Sequence, residues 1–329
     1  MWFLYFLLAA LSVYIFTVIV LTLISYRMMF CPKIHSLEYA RASGLERNEF
    51  DEAYLDLPWE PISVFSEKRD TCIAGLTLRS DIHTGTVIFV HGITWNRYGD
   101  YKYARGFTER GWNVVVFDLP GHGASPGGKL KTPAFGYLEK WDLDAVVDWT
   151  RKHYRQTPIV LVGESMGAGT VLQYAPVGAP RGKSPEEWKI DAIIADCSYS
   201  SAGDELSARL RALHIPGLFR NPVCLLVSGL LYLLRGYTLD IISPKRAVLE
   251  SPVPILFVHG SEDRYVPTEM SVSMAENRKK AGAGPAELLI VEGATHAKSI
   301  VVNPKLWFSK AFAFIDTYVP LKPDRRSPS

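Results

Sequence analysis

Two kinds of apolar pattern alternate along this chain, and one long apolar run precedes them. From residue 1 to about 26 nearly every position is apolar, interrupted only by hydroxyl residues and closed by Arg27. About 20 such residues cross a bilayer as a helix, so residues 1–27 are expected to form a transmembrane anchor. A cleaved signal peptide is the rival. No Lys or Arg precedes the run, the run is long, and no A-x-A site follows it, all of which favour a retained anchor. Residues 28–58 are mixed polar and read as a linker or short amphipathic helix. From residue 59 a globular domain begins, with two alternating stretches (62–65 and 72–78) that predict an antiparallel edge hairpin. Continuous apolar strands follow at 87–90, 114–117, 159–162, 193–195, 255–258 and 288–291, as expected of strands buried on both faces of a mostly parallel sheet. Helical patterns fill the intervals at 99–110, 138–154, 166–175, 268–281 and 304–318. Alternating strand and helix predicts a doubly wound α/β domain over residues 59–320, with a tail at 321–329.

One insertion, at about 198–250, breaks the alternation with helical character. It holds the apolar run 222–234, too short to cross a bilayer unaided. A cap helix packed on the domain is the expected reading. A cap face that touches lipid or walls an acyl pocket is the sharper one.

Composition removes several function classes. The net charge is +2, with no Lys/Arg tract, so nothing points to nucleic acid. The four cysteines, Cys31, Cys72, Cys197 and Cys224, are widely spaced and read as reduced and mostly buried, neither a disulfide framework nor a zinc site. The eight histidines form no H-E-x-x-H, and no metal or cofactor is expected. Arg27, Lys33, Arg41 and Arg47 follow the apolar run, so the positive-inside bias places the domain on the cytoplasmic side.

Chemistry concentrates where strands end. Residues 159–169 read strand, Gly163-Glu164-Ser165-Met166-Gly167, helix: the G-x-S-x-G nucleophile elbow. Its turn lifts the Ser165 hydroxyl at the carboxyl edge of the sheet and crowds the positions two before and two after it, hence Gly163 and Gly167. A serine needs a base, and the base an orienting acid. Open α/β sheets place sites beyond the carboxyl ends of strands. Asp263 follows the strand at 255–258 and His296 the strand at 288–291, so Ser165, Asp263 and His296 stand in α/β-hydrolase triad order. Glu262 is the fallback acid. An oxyanion hole is expected from the amides of Met166 and Ile93, with Thr94 as the alternative to Ile93. His91 and His122, in post-strand loops, read as structural braces.

His91-Gly92, Asp118 through Gly121-His122-Gly123 and Ser125, Gly163 to Gly167, Gly260 to Arg264, and Glu292-Gly293 with His296 together resemble the α/β-hydrolase superfamily. The likeness is to its serine aminopeptidase/monoacylglycerol-lipase-like group, and it is similar to bacterial members with an N-terminal membrane segment. It covers about residues 60–320. The resemblance implies ester, thioester or amide hydrolysis without a cofactor. The expected function is a membrane-anchored carboxylesterase or lipase acting on acyl esters. The alternatives are an acyltransferase, thioesterase or peptidase using the same triad, and a tethered binding module without catalysis. Substrate, acyl chain length and oligomeric state stay open.

Overall fold

The computed structural model describes residues 1–128, 133–154 and 157–320; the expected tail at 321–329 lies outside the described residues. Helix α1 (Trp2–Phe30) opens the chain and runs three residues past the expected anchor boundary. Three of its hydroxyls are satisfied within the helix: Ser12, Thr17 and Thr22 each donate to the carbonyl four residues earlier at 2.8 Å. That back-bonding is how a polar side chain survives in an apolar helix. The expected linker is structured. It carries α2 (Leu37–Glu46), capped by Ser36, and α3 (Glu52–Leu55), capped by Asp51. Phe50 and Tyr54 are buried against the domain.

Eight strands form one sheet in the order β1-β2-β4-β3-β5-β6-β7-β8. They are β1 (Glu60–Ser66), β2 (Thr71–Leu78), β3 (Thr86–Val90), β4 (Asn113–Phe117), β5 (Ile159–Glu164), β6 (Ala192–Asp196), β7 (Ile255–Gly260) and β8 (Ala286–Val291). β1 pairs antiparallel with β2 and β2 antiparallel with β4; all other pairings are parallel. Every expected strand is present, lengthened by a few residues at its ends. β3 to β7 are buried at every position, which is why their sequences are runs of Val, Ile, Leu and Phe rather than alternations.

Two cores cover the two faces. On one, Tyr101, Tyr103 and Phe107 of α4 (Tyr101–Glu109) meet the alternate strand residues Val87, Phe89, Val114 and Val116. On the other, Leu143, Val146 and Val147 of α5 (Glu139–His153) and Val171 and Leu172 of α6 (Met166–Gly178) cover Ile88, Val90, Val115 and Leu161. Each such side chain removed from water contributes about 1.5–3 kcal/mol. The insertion folds as α7 (Ala202–Ala212), α8 (Gly217–Arg235) and α9 (Pro244–Ala247). A third apolar cluster joins α7 and α8 to the second half of α1. The chain ends with α10 (Glu269–Lys280), α11 (Ser299–Val302) and α12 (Pro304–Tyr318), whose Trp307, Phe314 and Ile315 finish the first core.

The strand order reverses at β3. From there β4 lies to one side and β5 to the other, and the helices leaving β3 and β5 cover opposite faces. A crevice therefore opens between the carboxyl ends of β3 and β5.

Candidate active site

That crevice holds Ser165, at the tip between β5 and α6. Its backbone has φ 55° and ψ −114°, a conformation a side-chain-bearing residue adopts only under constraint. The constraint comes from crowding. A Cβ on Gly163 would strike the Gly167 carbonyl, and one on Gly167 would strike the Val90 carbonyl. Both glycines are thus required by close approach, as the sequence indicated. The Ser165 amide donates to the Asp196 carbonyl at 2.9 Å, pinning the turn to β6.

The structure brings the three expected side chains together. Ser165 Oγ lies 2.9 Å from His296 Nε2, and His296 Nδ1 lies 2.7 Å from Asp263 Oδ2. Asp263 has no proton to give, so Nδ1–H donates to it and Nε2 is left to accept from the serine hydroxyl. The other carboxylate oxygen of Asp263 accepts the amides of Tyr265 and Val266, each at 2.9 Å. Burial alone would raise this carboxyl; hydrogen bonds from His259 and His296 outweigh it and hold Asp263 well below the usual carboxylate range. Glu262, the fallback acid, is exposed.

Met166 is the first residue of α6, so its amide has no intrahelical acceptor and sits at the positive end of the helix dipole. A Cβ placed on Gly92 would lie 3.7 Å from the Ser165 Cβ, so the loop carrying Ile93 runs beside the serine. Thr94 directs its carbonyl to the His35 amide at 3.0 Å, tying the loop to the segment before α2. His122 Nε2 meets the Ile93 carbonyl at 2.7 Å. His91 Nε2 accepts the Leu119 amide at 3.0 Å, and its Nδ1 meets the Gly92 carbonyl at 2.8 Å. Both histidines brace the loop, as expected. Burial, reinforced by the neighbouring His122, pushes His91 down to about 3, so it is neutral.

Sequence reasoning missed the polar layer beneath the site. Lys102 of α4 reaches Glu164 Oε2 at 2.5 Å and the Ala297 carbonyl at 3.2 Å. One ammonium therefore ties the residue before Ser165 to the residue after His296. Tyr103 bonds Glu164 at 2.7 Å and Asp196 at 3.1 Å, and Asp196 also accepts from Ser299 and Trp307, each at 3.0 Å. Burial and the neighbouring Glu164 charge push the Asp196 carboxyl up. His259, buried at the end of β7, lies 3.2 Å from Asp263 Oδ2 and 2.7 Å from the Ser271 hydroxyl. Nothing in the spacing of Lys102 marks it out except its place between two buried tyrosines.

Cys197, Asp263 and His296 each offer a donor atom, all within 4.8 Å of one another, and form the one group among the described residues that could approach a metal. Burial and the nearby Asp196 push the Cys197 thiol well above its ordinary value. A protonated thiol is a poor ligand, and the other two are already bonded to each other. The donor set is a poor fit for a resident ion.

Residues 85–216 match the family described as the alpha/beta hydrolase fold. The uncharacterized protein YqkD of Bacillus subtilis is 32% identical over 233 residues, 70% of this chain and 71% of its own. The chain belongs to the α/β-hydrolase superfamily. A second relative of this hydrolase, the uncharacterized protein YfhR of Escherichia coli, is 27% identical over 257 residues, 75% of this chain and 77% of its own. Among solved structures, the Pyrococcus furiosus esterase Pf2001 superposes with a TM-score of 0.61 at 22% identity, over 82% of this hydrolase and 96% of that chain. At that identity the likeness is one of fold.

Proposed function

We propose that this α/β hydrolase is a membrane-anchored serine hydrolase that cleaves acyl esters through an acyl-enzyme. The observation that carries the reading is the relay from Ser165 through His296 to Asp263, at 2.9 and 2.7 Å, mounted on a strained serine. His296 Nε2 takes the Ser165 proton as the oxygen attacks the acyl carbonyl. The amides of Met166 and Ile93 receive the oxyanion that forms. His296 then protonates the departing alkoxide, and Asp263, kept ionised, stabilises the imidazolium in between. A water activated by His296 releases the acid and restores the serine.

The superposition on an esterase is in keeping with ester chemistry, and the likeness is one of fold. The 29-residue α1, apolar along its length and exposed through its first half, supports the anchor. The cations just after α1 support a domain facing the cytoplasm. The test is labelling of the full chain by a fluorophosphonate probe alongside turnover of a p-nitrophenyl ester. Both are expected in the wild type, and neither with Ser165→Ala. Equal labelling of the two chains would end the proposal.

A further inference from the structure

We propose that the first half of α8 is a membrane-embedded element, lying in the acyl-chain region of one leaflet beside α1, so that the cap reaches its substrate from within the bilayer. This rests on the reading of α1 as a membrane anchor.

The two helices run side by side in the same direction. At their starts the Tyr14 hydroxyl donates to the Leu218 carbonyl at 3.1 Å, and the Tyr14 and Phe219 rings stand 5.2 Å apart. At their ends Arg235 donates to the Phe30 carbonyl at 2.5 Å and the Tyr26 hydroxyl at 3.1 Å. Residues 14–30 of α1 therefore match residues 219–235 of α8 over about 24 Å of helix. Between these ends the contact is apolar: Val18, Met29 and Phe30 from α1, and Val223, Val227 and Leu231 from α8, all buried in one cluster.

Among the described residues nothing covers the opposite face of α8. Leu218, Leu225, Tyr232 and Leu233 are 69%, 73%, 59% and 80% exposed. An apolar strip of this length on a protein surface marks an interaction site. Its occupant follows from continuity. The strip lies beside α1, whose residues 2–13 are exposed apolar surface as well. An anchor needs about 20 apolar residues to cross the hydrocarbon. Counted from Trp2, that span reaches about residue 21, so the first half of α8, level with residues 14–21, runs from about 10 Å below the near surface up to it, and the second half stands above the hydrocarbon. Two cations near the turn between α7 and α8, Arg211 and Arg220, keep the element in one leaflet, because their heads must stay within reach of phosphates. Arg211 already bends back along α7, donating to the Ser207 hydroxyl at 3.0 Å.

The same apolar cluster continues to the site. It includes Tyr199 and Leu206, and Ile93 of the loop beside Ser165 packs against it. Unbroken apolar packing thus links lipid-facing helices to the position where an acyl group would be attacked. The substrate class this favours is a long-chain acyl ester resident in the membrane.

The experiment is site-directed spin labelling of the full chain reconstituted in phosphatidylcholine vesicles, with Cys31, Cys72 and Cys224 replaced by serine. Labels are placed singly at Leu8→Cys on α1 and at Leu218→Cys, Leu225→Cys and Leu233→Cys on α8. Variants that keep the parent's melting temperature are read for collision with oxygen and with a water-soluble nickel chelate. The expected result is a lipid signature at Leu8, Leu218 and Leu225, with depth decreasing from Leu218 to Leu225, and nickel access at Leu233, which is level with the part of α1 above the hydrocarbon. A lipid signature at Leu8 with nickel access throughout α8 would overturn the embedded cap while leaving the anchor standing. Nickel access at Leu8 as well would remove the anchor and this proposal with it. Labels shielded from both reagents, with spin coupling between chains, would mean that a second copy covers α8, and would overturn the proposal.

Discussion

The sheet edge that carries Ser165 and the cap that leans on α1 are built by opposite means. At the sheet edge nearly every side chain is polar, buried and bonded to a named partner: Asp263 accepts two amides and touches two imidazoles, and Lys102 joins two loops. In the cap the contacts are mostly apolar and interchangeable, and Arg235 and the Tyr14 hydroxyl supply directional bonds between α8 and α1. Hydrogen-bonded geometry positions atoms to fractions of an ångström, which catalysis needs. Apolar packing fixes an element's place but tolerates sliding and repacking, which would suit the lipid-facing role proposed for the cap. The two regions should respond differently to substitution, truncation and pH.

The largest effect belongs to the sheet edge. Ser165→Ala is expected to lower kcat/KM on a p-nitrophenyl ester by on the order of 10⁴-fold or more, with stability changed by less than about 0.5 kcal/mol. His296→Ala should match it. Asp263→Asn should be severe but leave more activity, since Asp263 orients and stabilises the base without touching the proton in flight. Steady-state kinetics beside thermal melts separate these outcomes, and a Ser165→Ala chain that melts far below the parent would put the serine in the packing as well.

The next effect belongs to the cap. Deleting residues 2–30 takes Val18, Met29 and Phe30 out of the third cluster and uncovers Val223, Val227 and Leu231. Each of these side chains contributes about 1.5–3 kcal/mol, so the loss approaches the whole stability margin of a domain. The deletion is expected to yield a chain with a melted cap that aggregates. Deleting only residues 2–13, which are exposed along their whole length, should leave the melting temperature in detergent unchanged. Gel filtration and melting of the two truncations make the comparison. If both behave like the full chain, α1 is a tether and no part of the cap.

How much of this could be read from the sequence follows the same division. The strands were legible because burial on both faces leaves no choice but Val, Ile, Leu and Phe. Ser165, Asp263 and His296 were legible because a strand end, a glycine and a reactive side chain fall within a few residues of one another. The union of α1 with α8 was not. Tyr14 meets Leu218 and Phe30 meets Arg235 across some two hundred residues, and an apolar face carries no record of which other face will cover it. For the same reason residues 28–58, with their mixed polarity, gave no sign that Phe50 and Tyr54 would be buried. Lys102 and His259 escaped because their roles depend on partners brought in by other strands.

A smaller effect sharpens the contrast through pH. His91 is neutral in the folded chain, held down to about 3 by burial and by His122. Unfolded, it takes up a proton near the ordinary value of about 6.5. Between those two values the unfolded state binds the extra proton, so stability falls as pH drops, by about 1.4 kcal/mol per unit. Asp263, with its depressed carboxyl, contributes stability above about pH 4 that is lost only below that value, so it leaves this window clear. Melts of the parent and of His91→Asn from pH 7.5 to 5 should show a shallower acid slope in the variant, whatever its absolute stability. Parallel slopes would mean that His91 is not the acid-sensitive brace.

The smallest expected effect tests how narrowly the sheet edge is specified. Glu262 and Asp263 are adjacent, both acidic, and both follow β7, so either could have served as the acid on sequence grounds. The fold separates them. Asp263 turns inward, where the Tyr265 and Val266 amides and two imidazoles converge on it, while Glu262 turns into solvent. A charge screened by water contributes little to the developing imidazolium, and removing an exposed carboxylate strands no buried partner. Glu262→Gln should therefore leave kcat/KM within about twofold and the melting temperature unchanged, the usual outcome for a surface substitution. Assayed side by side with Asp263→Asn, it asks whether one residue's difference in backbone direction is worth several orders of magnitude in rate. If Glu262→Gln proved the more damaging of the two, the acid would be Glu262, and the loop after β7 would have to take a different conformation when substrate is bound.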